Sequence, residues 1–295
     1  MIKKGVYAAG LSVMNSNDTL NIEATINHAS EVIQNGAHGV FFFGSTGQSQ
    51  LVSIREKKEL IAKIANHKLK KHFFLGTGNN SLNENIELIK YAMEYEFREF
   101  LIMPPAYYTN NSDKGVFNFY SKLIKANPKI KIILYNFEKL SGYKFSIDSV
   151  KNLVKMFPNN IVGCKDSSYN LYENLKIPNL LIFPGTETRL LQGLELGCAG
   201  IISAVTNVTH SLARKVFDDF QNKTKQSKND QLIEVRKCFD NYNLISALHS
   251  FMSIKDKNFK NVLPPLELLP EKKQKELIEK LEKLKFNNLK KNLAA

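Results

Sequence analysis

The chain has 295 residues, 43% of them hydrophobic and 23% charged, which is enough to form one barrel-sized domain or two smaller domains. Its apolar stretches are too short to span a bilayer, which argues against a membrane protein. The net charge of +13 raises the question of nucleic acid, but the lysines are spread along expected helices and turns. No arginine-rich tract with interleaved aromatic residues occurs, so we predict no nucleic-acid partner.

The cysteines and the N-terminus indicate the compartment. Cys164, Cys198 and Cys238 stand without the spacing of a metal site. An odd number of cysteines, two of them in apolar segments, indicates buried free thiols in a reducing environment. Lys3 and Lys4 precede an apolar stretch that is short and interrupted by glycine, which is not typical of a signal peptide. We therefore expect a cytoplasmic protein without a metal site or a cofactor.

Eight short segments rich in β-branched or aromatic residues recur along the chain, each as a continuous apolar run. Such runs are typical of parallel strands that are covered on both faces. The predicted strands are 5–13, 39–44, 72–76, 99–104, 131–136, 161–165, 180–184 and 200–205.

Amphipathic helical segments lie between these strands, and the first follows a stretch rich in capping side chains at 16–19. The predicted helices are 21–35, 54–67, 81–95, 114–126 and 147–156, with barely two turns of helix at 169–176. Strand–helix alternation repeated eight times predicts an α/β fold, a (β/α)8 TIM barrel. An open doubly wound sheet is the alternative, but no dinucleotide-type glycine fingerprint follows the first strand.

After the eighth unit the pattern predicts only helices, over 211–255 and 271–291, bridged by a turn around residues 263–265. No linker rich in Gly, Ser or Pro separates them from the barrel, so a second independent domain is not expected. We predict a barrel over residues 1–210 and a C-terminal helical extension over residues 211–295 that packs on it.

Lys165 closes the apolar run 161–165, which predicts a buried strand that ends in a lone amine. Burial among Ile, Val and Cys side chains disfavours the ammonium form of a lysine. A neutral amine can attack a ketone and form a Schiff base. A lysine that reaches the surface from a strand end is the alternative for this segment taken alone.

The loops after the other strands carry hydroxyls, glycines and tyrosines, few carboxylates and no histidine. They are 44–47, 76–78, 104–108, 135–136, 166–168 and 185–187. In a TIM barrel these strand ends form the active site, and this set suits Schiff-base chemistry on an α-keto acid better than hydrolysis. Ser45 and Thr46 can hold a carboxylate, and a tyrosine near the amine can move protons. Each segment alone could be a plain turn or a packed aromatic; their occurrence at consecutive strand ends indicates a site.

Taken in order, these motifs resemble the pyruvate-dependent class I aldolases of the dihydrodipicolinate synthase and N-acetylneuraminate lyase superfamily. The matching segments are 44–47, 51–53, 55–56, 76–78, 105–108, 135–136, 163–168 and 200–203. The resemblance implies a barrel with a C-terminal helical extension and a lyase that acts on a small keto acid or aldehyde. It also implies a homotetramer built as a dimer of dimers.

The same resemblance implies roles for individual residues. Lys165 matches the Schiff-base lysine and Tyr135 the catalytic tyrosine. Tyr108 matches the tyrosine that reaches into the site of a neighbouring subunit and completes a proton relay. The residues that match substrate-binding positions are Ser45, Thr46, Ser167, Gly185, Glu187 and Ile202. Of these, Ser45 and Thr46 match the pair that binds the pyruvate carboxylate.

The chain departs from the family where the aldehyde would bind. Family members that use aspartate semialdehyde carry an arginine where this chain has Leu140, and leucine cannot make a two-pronged contact with a carboxylate. The adjacent Lys139 is a second candidate for binding that carboxylate, so the argument against aspartate semialdehyde stays open. Thr188 and Ala204 replace a glutamate and a serine of the sialic acid lyases, which removes two polar contacts to a sugar tail.

Other departures concern the turns. Gln48 and Glu138 replace a usual glutamate and a usual proline, without a functional explanation from the sequence. The short loop after Ser168 and the pair Gly142–Tyr143 resemble the 2-keto-3-deoxygluconate aldolases.

We therefore predict a Schiff-base-forming class I lyase that cleaves a 2-keto-3-deoxy sugar acid, or a related 4-hydroxy-2-oxo acid, to pyruvate and an aldehyde. The alternatives on the same scaffold are 4-hydroxy-tetrahydrodipicolinate synthase, N-acetylneuraminate lyase and a keto-deoxy sugar acid dehydratase. A non-enzymatic keto-acid-binding protein is the last alternative. The sequence identifies neither the aldehyde nor the physiological direction of the reaction.

Overall fold

The computed structural model describes residues 2–286. Its strands are β1 (Gly5–Ala9), β2 (Gly39–Phe42), β3 (Phe73–Gly76), β4 (Glu99–Ile102), β5 (Lys131–Asn136), β6 (Ile161–Asp166), β7 (Leu181–Pro184) and β8 (Gly200–Ser203). They form one parallel sheet in the order β7-β6-β5-β4-β3-β2-β1-β8. The Ala199 N–H donates to the Ile182 carbonyl at 2.8 Å, so the barrel is nearly closed between its last two strands. The predicted TIM barrel is confirmed.

Among the described residues, helices connect most of the successive strands, but two helices lie between β5 and β6 and none lies between β6 and β7. They are α1 (Ile22–Gln34), α2 (Ile54–Ile64), α3 (Leu82–Glu94), α4 (Asp113–Ala126), α5 (Glu138–Ser141), α6 (Ile147–Met156), α7 (Leu190–Glu195), α8 (Thr206–Gln221), α9 (Asn229–Asp240), α10 (Leu244–Met252) and α11 (Glu271–Lys283). The five helices predicted after the first five strands begin where a side chain accepts the backbone N–H three residues later. These capping residues are Asn21, Ser53, Ser81, Ser112 and Ser146.

The helix predicted at 169–176 is wrong, because this connection forms turns. The Asp166 carboxylate accepts the N–H groups of Tyr169, Leu171 and Tyr172 at 2.8–2.9 Å. A side chain that collects successive amides folds the backbone into a compact loop instead of a helix.

The C-terminal part continues from the barrel without a break. Helix α8 packs against β1 as the eighth barrel helix and runs across the predicted division at residue 210. Helices α9, α10 and α11 form the extension, and they share a hydrophobic core with Leu11 and Val13 that follow β1. The helix predicted at 271–291 ends at Lys283, and residues 287–291 lie outside the described residues.

Aromatic side chains fill the inside of the barrel. The Tyr7 ring makes edge contacts with Phe74 of β3 and Phe183 of β7, so this cluster spans the barrel. The cluster also contains Tyr135, so this residue packs with the other buried side chains inside the barrel. Burial of each such side chain contributes on the order of 1.5–3 kcal/mol.

Two expectations drawn from the composition concerned the cysteines and membrane-spanning segments. Cys164, Cys198 and Cys238 are buried free thiols, as predicted. Within residues 2–286, no helix has both the length and the apolar character needed to cross a membrane.

Candidate active site

Lys165 and Tyr135 occupy paired positions on adjacent strands β6 and β5. Both side chains are buried, with 3% and 4% of their surface exposed. The Lys165 Nζ lies 4.3 Å from the centre of the Tyr135 ring. Lys165 is thus a buried lysine at the barrel mouth. This agrees with the predicted buried strand that ends in an amine, and not with a lysine that reaches the surface.

The Tyr135 hydroxyl connects this pair to the turn after β2. Its oxygen lies 3.1 Å from Ser45 Oγ, at hydrogen-bond distance. Ser45 begins a short 3-10 turn, Ser45–Gly47, in which Thr46 is buried. The amine, the phenol and two hydroxyl side chains are therefore gathered at one end of the barrel.

Gln48 anchors this turn to the C-terminal extension. Its Oε1 accepts the Leu263 N–H at 2.7 Å, and its Nε2 lies 3.4 Å from the Ser12 carbonyl and 3.3 Å from His249 Nε2. Burial lowers the pKa of His249 to about 4, so the ring is neutral at neutral pH and its nitrogen can accept the amide proton. The amide of Gln48, unlike a carboxylate, supplies both a donor and an acceptor here. Sequence reasoning did not identify this role.

Asn136 and Asp166 fix the two site strands relative to each other. Both are fully buried, and Asn136 Nδ2 donates to Asp166 Oδ1 at 2.8 Å. Asn136 Oδ1 accepts the Phe145 N–H at 3.1 Å. Because these residues directly follow Tyr135 and Lys165, they hold the amine and the phenol in register. The sequence placed them at strand ends but did not show this bond.

Ser167 and Gly185 also come together. The Gly185 N–H donates to the Asp166 carbonyl at 2.9 Å. A Cβ added to Gly185 would lie 2.1 Å from Ser167 Oγ, so this approach requires glycine. Ile202 is fully buried on β8 and belongs to the cluster inside the barrel.

Glu187 makes different contacts from those expected of a substrate-binding residue. Its carboxylate is fully buried and accepts hydrogen bonds from Ser203 and Thr206 hydroxyls, each at 2.8 Å. It also forms an ion pair with Arg236 of α9 at 2.8 Å, and Arg236 binds Asp240 as well. This side chain therefore links the end of β7 to the extension. The partner Arg236 carries no local signal in the sequence.

Tyr107 and Tyr108 stand apart from the buried residues. They are 84% and 75% exposed, and their rings contact each other edge to face at 5.2 Å. Tyr107 has a φ of 82°, a left-handed conformation that is uncommon for a tyrosine. Tyr108 is not brought together with Lys165 in the single chain.

A cavity of about 470 Å³ opens beside Ser45, Thr46 and Tyr135, between the barrel mouth and the extension. A volume of this size suits a small-molecule ligand. Its apolar lining includes Leu51, Leu101, Met103, Phe137, Leu140, Leu244, Ile245 and Leu266. Residues 77–80 of the loop after β3 line the same cavity and supply part of its polar surface. In the described part of the chain, no cluster of three or more His, Cys, Asp or Glu residues could hold a metal ion.

The likeness of the chain to known proteins agrees with this site. The family model described as the dihydrodipicolinate synthetase family matches residues 3–284. The 4-hydroxy-tetrahydrodipicolinate synthase of Hydrogenobaculum sp. (strain Y04AAS1) is 30% identical over 263 residues, 84% of this chain and 88% of the relative. The 2-dehydro-3-deoxy-D-gluconate/2-dehydro-3-deoxy-phosphogluconate aldolase of Picrophilus torridus is 26% identical over 236 residues, 77% of this chain and 86% of the relative.

A solved structure extends the likeness to three dimensions. The crystal structure of dihydrodipicolinate synthase from Agrobacterium tumefaciens superimposes with a TM-score of 0.84 at 25% identity. The superposition covers 96% of this chain and 99% of that chain. Relatives named for two different reactions thus match the chain, and the likeness alone does not choose between them.

Proposed function

The chain belongs to the dihydrodipicolinate synthetase family, whose members are pyruvate-dependent enzymes, and on this premise we propose a Schiff-base-forming class I lyase. Its substrate in this proposal is a 2-keto-3-deoxy sugar acid or a related 4-hydroxy-2-oxo acid, which it cleaves to pyruvate and an aldehyde. The observation that carries the proposal is the buried Lys165 amine beside the Tyr135 ring, with the Tyr135 hydroxyl next to Ser45.

The first half of the reaction joins the substrate to the enzyme. Ser45 and Thr46 hold the substrate carboxylate, while the Lys165 nitrogen attacks the C2 carbonyl carbon. Tyr135 gives its proton to the departing C2 hydroxyl, which leaves as water, and a protonated Schiff base and a phenolate remain. Burial of the site excludes bulk water and strengthens these charge interactions.

The second half breaks the carbon–carbon bond. The Tyr135 phenolate takes the proton of the C4 hydroxyl, the C3–C4 bond breaks, and the aldehyde leaves. The bonding electrons form the enamine and neutralise the imine nitrogen. C3 then takes a proton from Tyr135, which restores the protonated Schiff base and leaves a phenolate. Water hydrolyses this Schiff base to pyruvate and free Lys165, and the proton released returns to Tyr135.

We also propose that the enzyme acts as a homotetramer in the cytoplasm. The exposed Tyr108 is free to enter the site of a neighbouring subunit, where it would pass protons between Tyr135 and solvent. The buried free thiols are in keeping with a reducing compartment.

Leu140 supports a neutral aldehyde product, and Glu187 supports a short one. Leu140 lines the cavity where an anionic aldehyde would need a cation. Glu187 has both carboxylate oxygens engaged with Arg236 and two hydroxyls, which leaves few partners for a long hydroxylated tail. We therefore favour a short-chain substrate within the proposed class.

The second candidate is 4-hydroxy-tetrahydrodipicolinate synthase. It is favoured by the relative from Hydrogenobaculum, which has the higher identity and coverage of the two relatives above. Leu140 argues against it, because the aspartate semialdehyde carboxylate would lack a guanidinium partner.

The decisive experiment is borohydride reduction in the presence of pyruvate, followed by peptide mass spectrometry. We expect a reduced pyruvyl adduct on Lys165 and none in the Lys165→Ala variant. A folded protein without any adduct would reject the proposal and favour a binding protein. Product analysis then separates the candidates, since an aldehyde with pyruvate, a cyclic dicarboxylate and a dehydrated keto acid differ in mass.

A further inference from the structure

Lys57 on α2 is a buried lysine outside the site described above. Its side chain is completely buried, and its Nζ donates to the carbonyls of Thr77 and Gly78 at 3.1 Å and to Asn79 Oδ1 at 2.6 Å. No carboxylate within residues 2–286 lies at ion-pair distance from this nitrogen. A buried ammonium without a counter-charge is costly, and here three neutral acceptors offset that cost.

The loop after β3 is shaped to present these acceptors. Gly78 has a φ of +56°, and a Cβ at this position would lie 2.3 Å from Ser49 Cβ and 2.8 Å from the Phe43 carbonyl oxygen. The left-handed turn therefore needs glycine. It directs the carbonyl groups of Thr77 and Gly78 toward the Lys57 nitrogen, so that Lys57 holds the loop by two hydrogen bonds.

The same loop faces the active site on its other side. Residues 77–80 line the cavity that also contacts Ser45 and Tyr135. Asn80 Oδ1 accepts the Ala106 N–H at 2.9 Å, directly before Tyr107 and Tyr108. The backbone of the loop thus connects the residues that Lys57 binds to Asn80, which is hydrogen-bonded to the tyrosine segment 106–108.

The charges around Lys57 leave its ammonium only weakly supported. Burial lowers the pKa of Lys57 to about 8, and the opposing influence comes from Glu84 on α3. The charged neighbours on its own helix bind other groups, because Glu56 caps α2 and Lys58 pairs with Glu87 at 2.5 Å. A neutral amine has two N–H donors for three acceptors, so loss of the proton releases one bond of the loop.

We propose that Lys57 is a positioning residue of this enzyme, whose ammonium holds the loop 77–80 and the tyrosine segment 106–108 in the arrangement that proton transfer at the site requires. This role rests on the proposed function, because the segment carries Tyr108. It does not involve the attack of Lys165 on the keto acid. Loss of the Lys57 charge should therefore slow proton transfer while the Schiff base still forms.

Pyruvate alone is a sufficient probe of both steps. Borohydride trapping measures the Schiff base at Lys165. Exchange of the pyruvate methyl hydrogens in D2O, followed by NMR, measures proton transfer at C3 through the enamine. Wild-type protein that traps no pyruvate rejects the proposed function, and the role of Lys57 falls with it.

Two variants test the positioning role, with Lys58→Met as the matched control on the same helix. Lys57→Met should trap pyruvate like the wild type but exchange deuterium about 10-fold or more slowly. Asn79→Asp keeps the acceptor and adds a counter-charge to Lys57. It should move the alkaline decline of the exchange rate upward by about 1 pH unit or more.

Wild-type exchange rates and an unchanged pH profile in folded Lys57→Met would overturn the positioning role. If Lys57→Met does not fold, as judged by circular dichroism, Asn79→Asp decides the question. An alkaline decline that stays at the wild-type pH in this variant would overturn the role as well. Lys58→Met should match the wild type in both measurements, because its partner Glu87 is exposed.

Discussion

The Lys165 Nζ lies over the face of the Tyr135 ring, 4.3 Å from its centre, while the hydroxyl of the same ring lies 3.1 Å from Ser45 Oγ. One tyrosine thereby shields the amine with its apolar face and orients a proton donor with its edge. Asn136 and Asp166, bonded to each other directly after these two residues, keep the strands from sliding. The arrangement is preorganised for a reaction that needs an amine and a proton carrier at adjacent carbons.

Tyr135→Phe should separate proton transfer from pyruvate binding. The ring still covers Lys165, but the proton carrier is lost, so turnover should fall about 10²- to 10⁴-fold. The pyruvate adduct on Lys165 should still form, more slowly. Steady-state kinetics and borohydride trapping measure the two effects. Tyr91→Phe is the control, since that hydroxyl is hydrogen-bonded to Tyr95 and lies outside the site. Turnover within a few-fold of the wild type in Tyr135→Phe would contradict the mechanism.

Leu140→Arg should convert the aldehyde specificity. The side chain is 43% exposed and lines the cavity, so an arginine fits without being buried unpaired. A charge-assisted contact with the carboxylate of aspartate semialdehyde should raise kcat/KM for that aldehyde roughly 10- to 100-fold. Condensation with pyruvate provides the measurement, and Leu140→Met is the uncharged control. A folded Leu140→Arg enzyme without any gain would show that the aldehyde carboxylate lies elsewhere.

Glu187→Gln should destabilise the fold, because it removes the fully buried one of the two carboxylates that pair with Arg236 and leaves only the partly exposed Asp240. Breaking such a pair costs about 3–5 kcal/mol in the free energy of unfolding, measured by urea denaturation. Adding Arg236→Met to Glu187→Gln should recover part of this loss, since neither charge then remains. Lys237→Ala is the control, because its pair with Glu234 is exposed. An unchanged urea midpoint in Glu187→Gln would contradict a structural role for the pair.

The stability of the fold should depend on pH through Lys57. Its folded-state pKa, about 8, lies below the ordinary value of 10.5, so the unfolded chain binds more protons between these two pH values. The contribution of Lys57 to the free energy of unfolding should therefore rise with pH across this window, by roughly 3 kcal/mol. Below pH 8 the group is charged in both states and the contribution is constant.

The measurement is the difference in unfolding free energy between the wild type and Lys57→Met at several pH values from 7 to 10.5. This difference should increase with pH, while the proposed positioning role makes proton transfer decline over the same range. A difference that stays flat or falls would contradict the assigned pKa. Opposite trends in stability and activity would distinguish a positioning role from a general loosening of the fold.

The sequence predicted those features that depend on short segments. Strand β6 and its terminal lysine were recognisable because an apolar run ends in Lys165. The stretch 16–19, rich in capping residues, marked the approach to the first helix, although its cap is Asn21. The order of strand ends then placed Tyr135 and Ser45 near that lysine. The helix predicted at 169–176 was wrong because the Asp166 side chain binds the local amides, which no periodic pattern reveals.

Contacts between distant parts of the chain could not be predicted from the sequence, for a different reason. Arg236 meets Glu187 only because α9 packs against the turn that follows β7. Lys57 meets the loop 77–80 only because α2 packs against α3, the helix that follows this loop. Each of these residues looks like an ordinary surface cation of an amphipathic helix. Their burial depends on tertiary packing, so the structure was needed to identify them.

The anchoring of Gln48 has a consequence for how the enzyme matures during translation. The turn that carries Ser45 and Thr46 is held by His249 and Leu263, which the ribosome adds more than 200 positions later. A nascent chain that has passed Lys165 already contains the reactive amine but lacks this support for the turn. The turn can therefore form its final hydrogen bonds only after residue 263 has been synthesised, which is later than the strands that carry Tyr135 and Lys165.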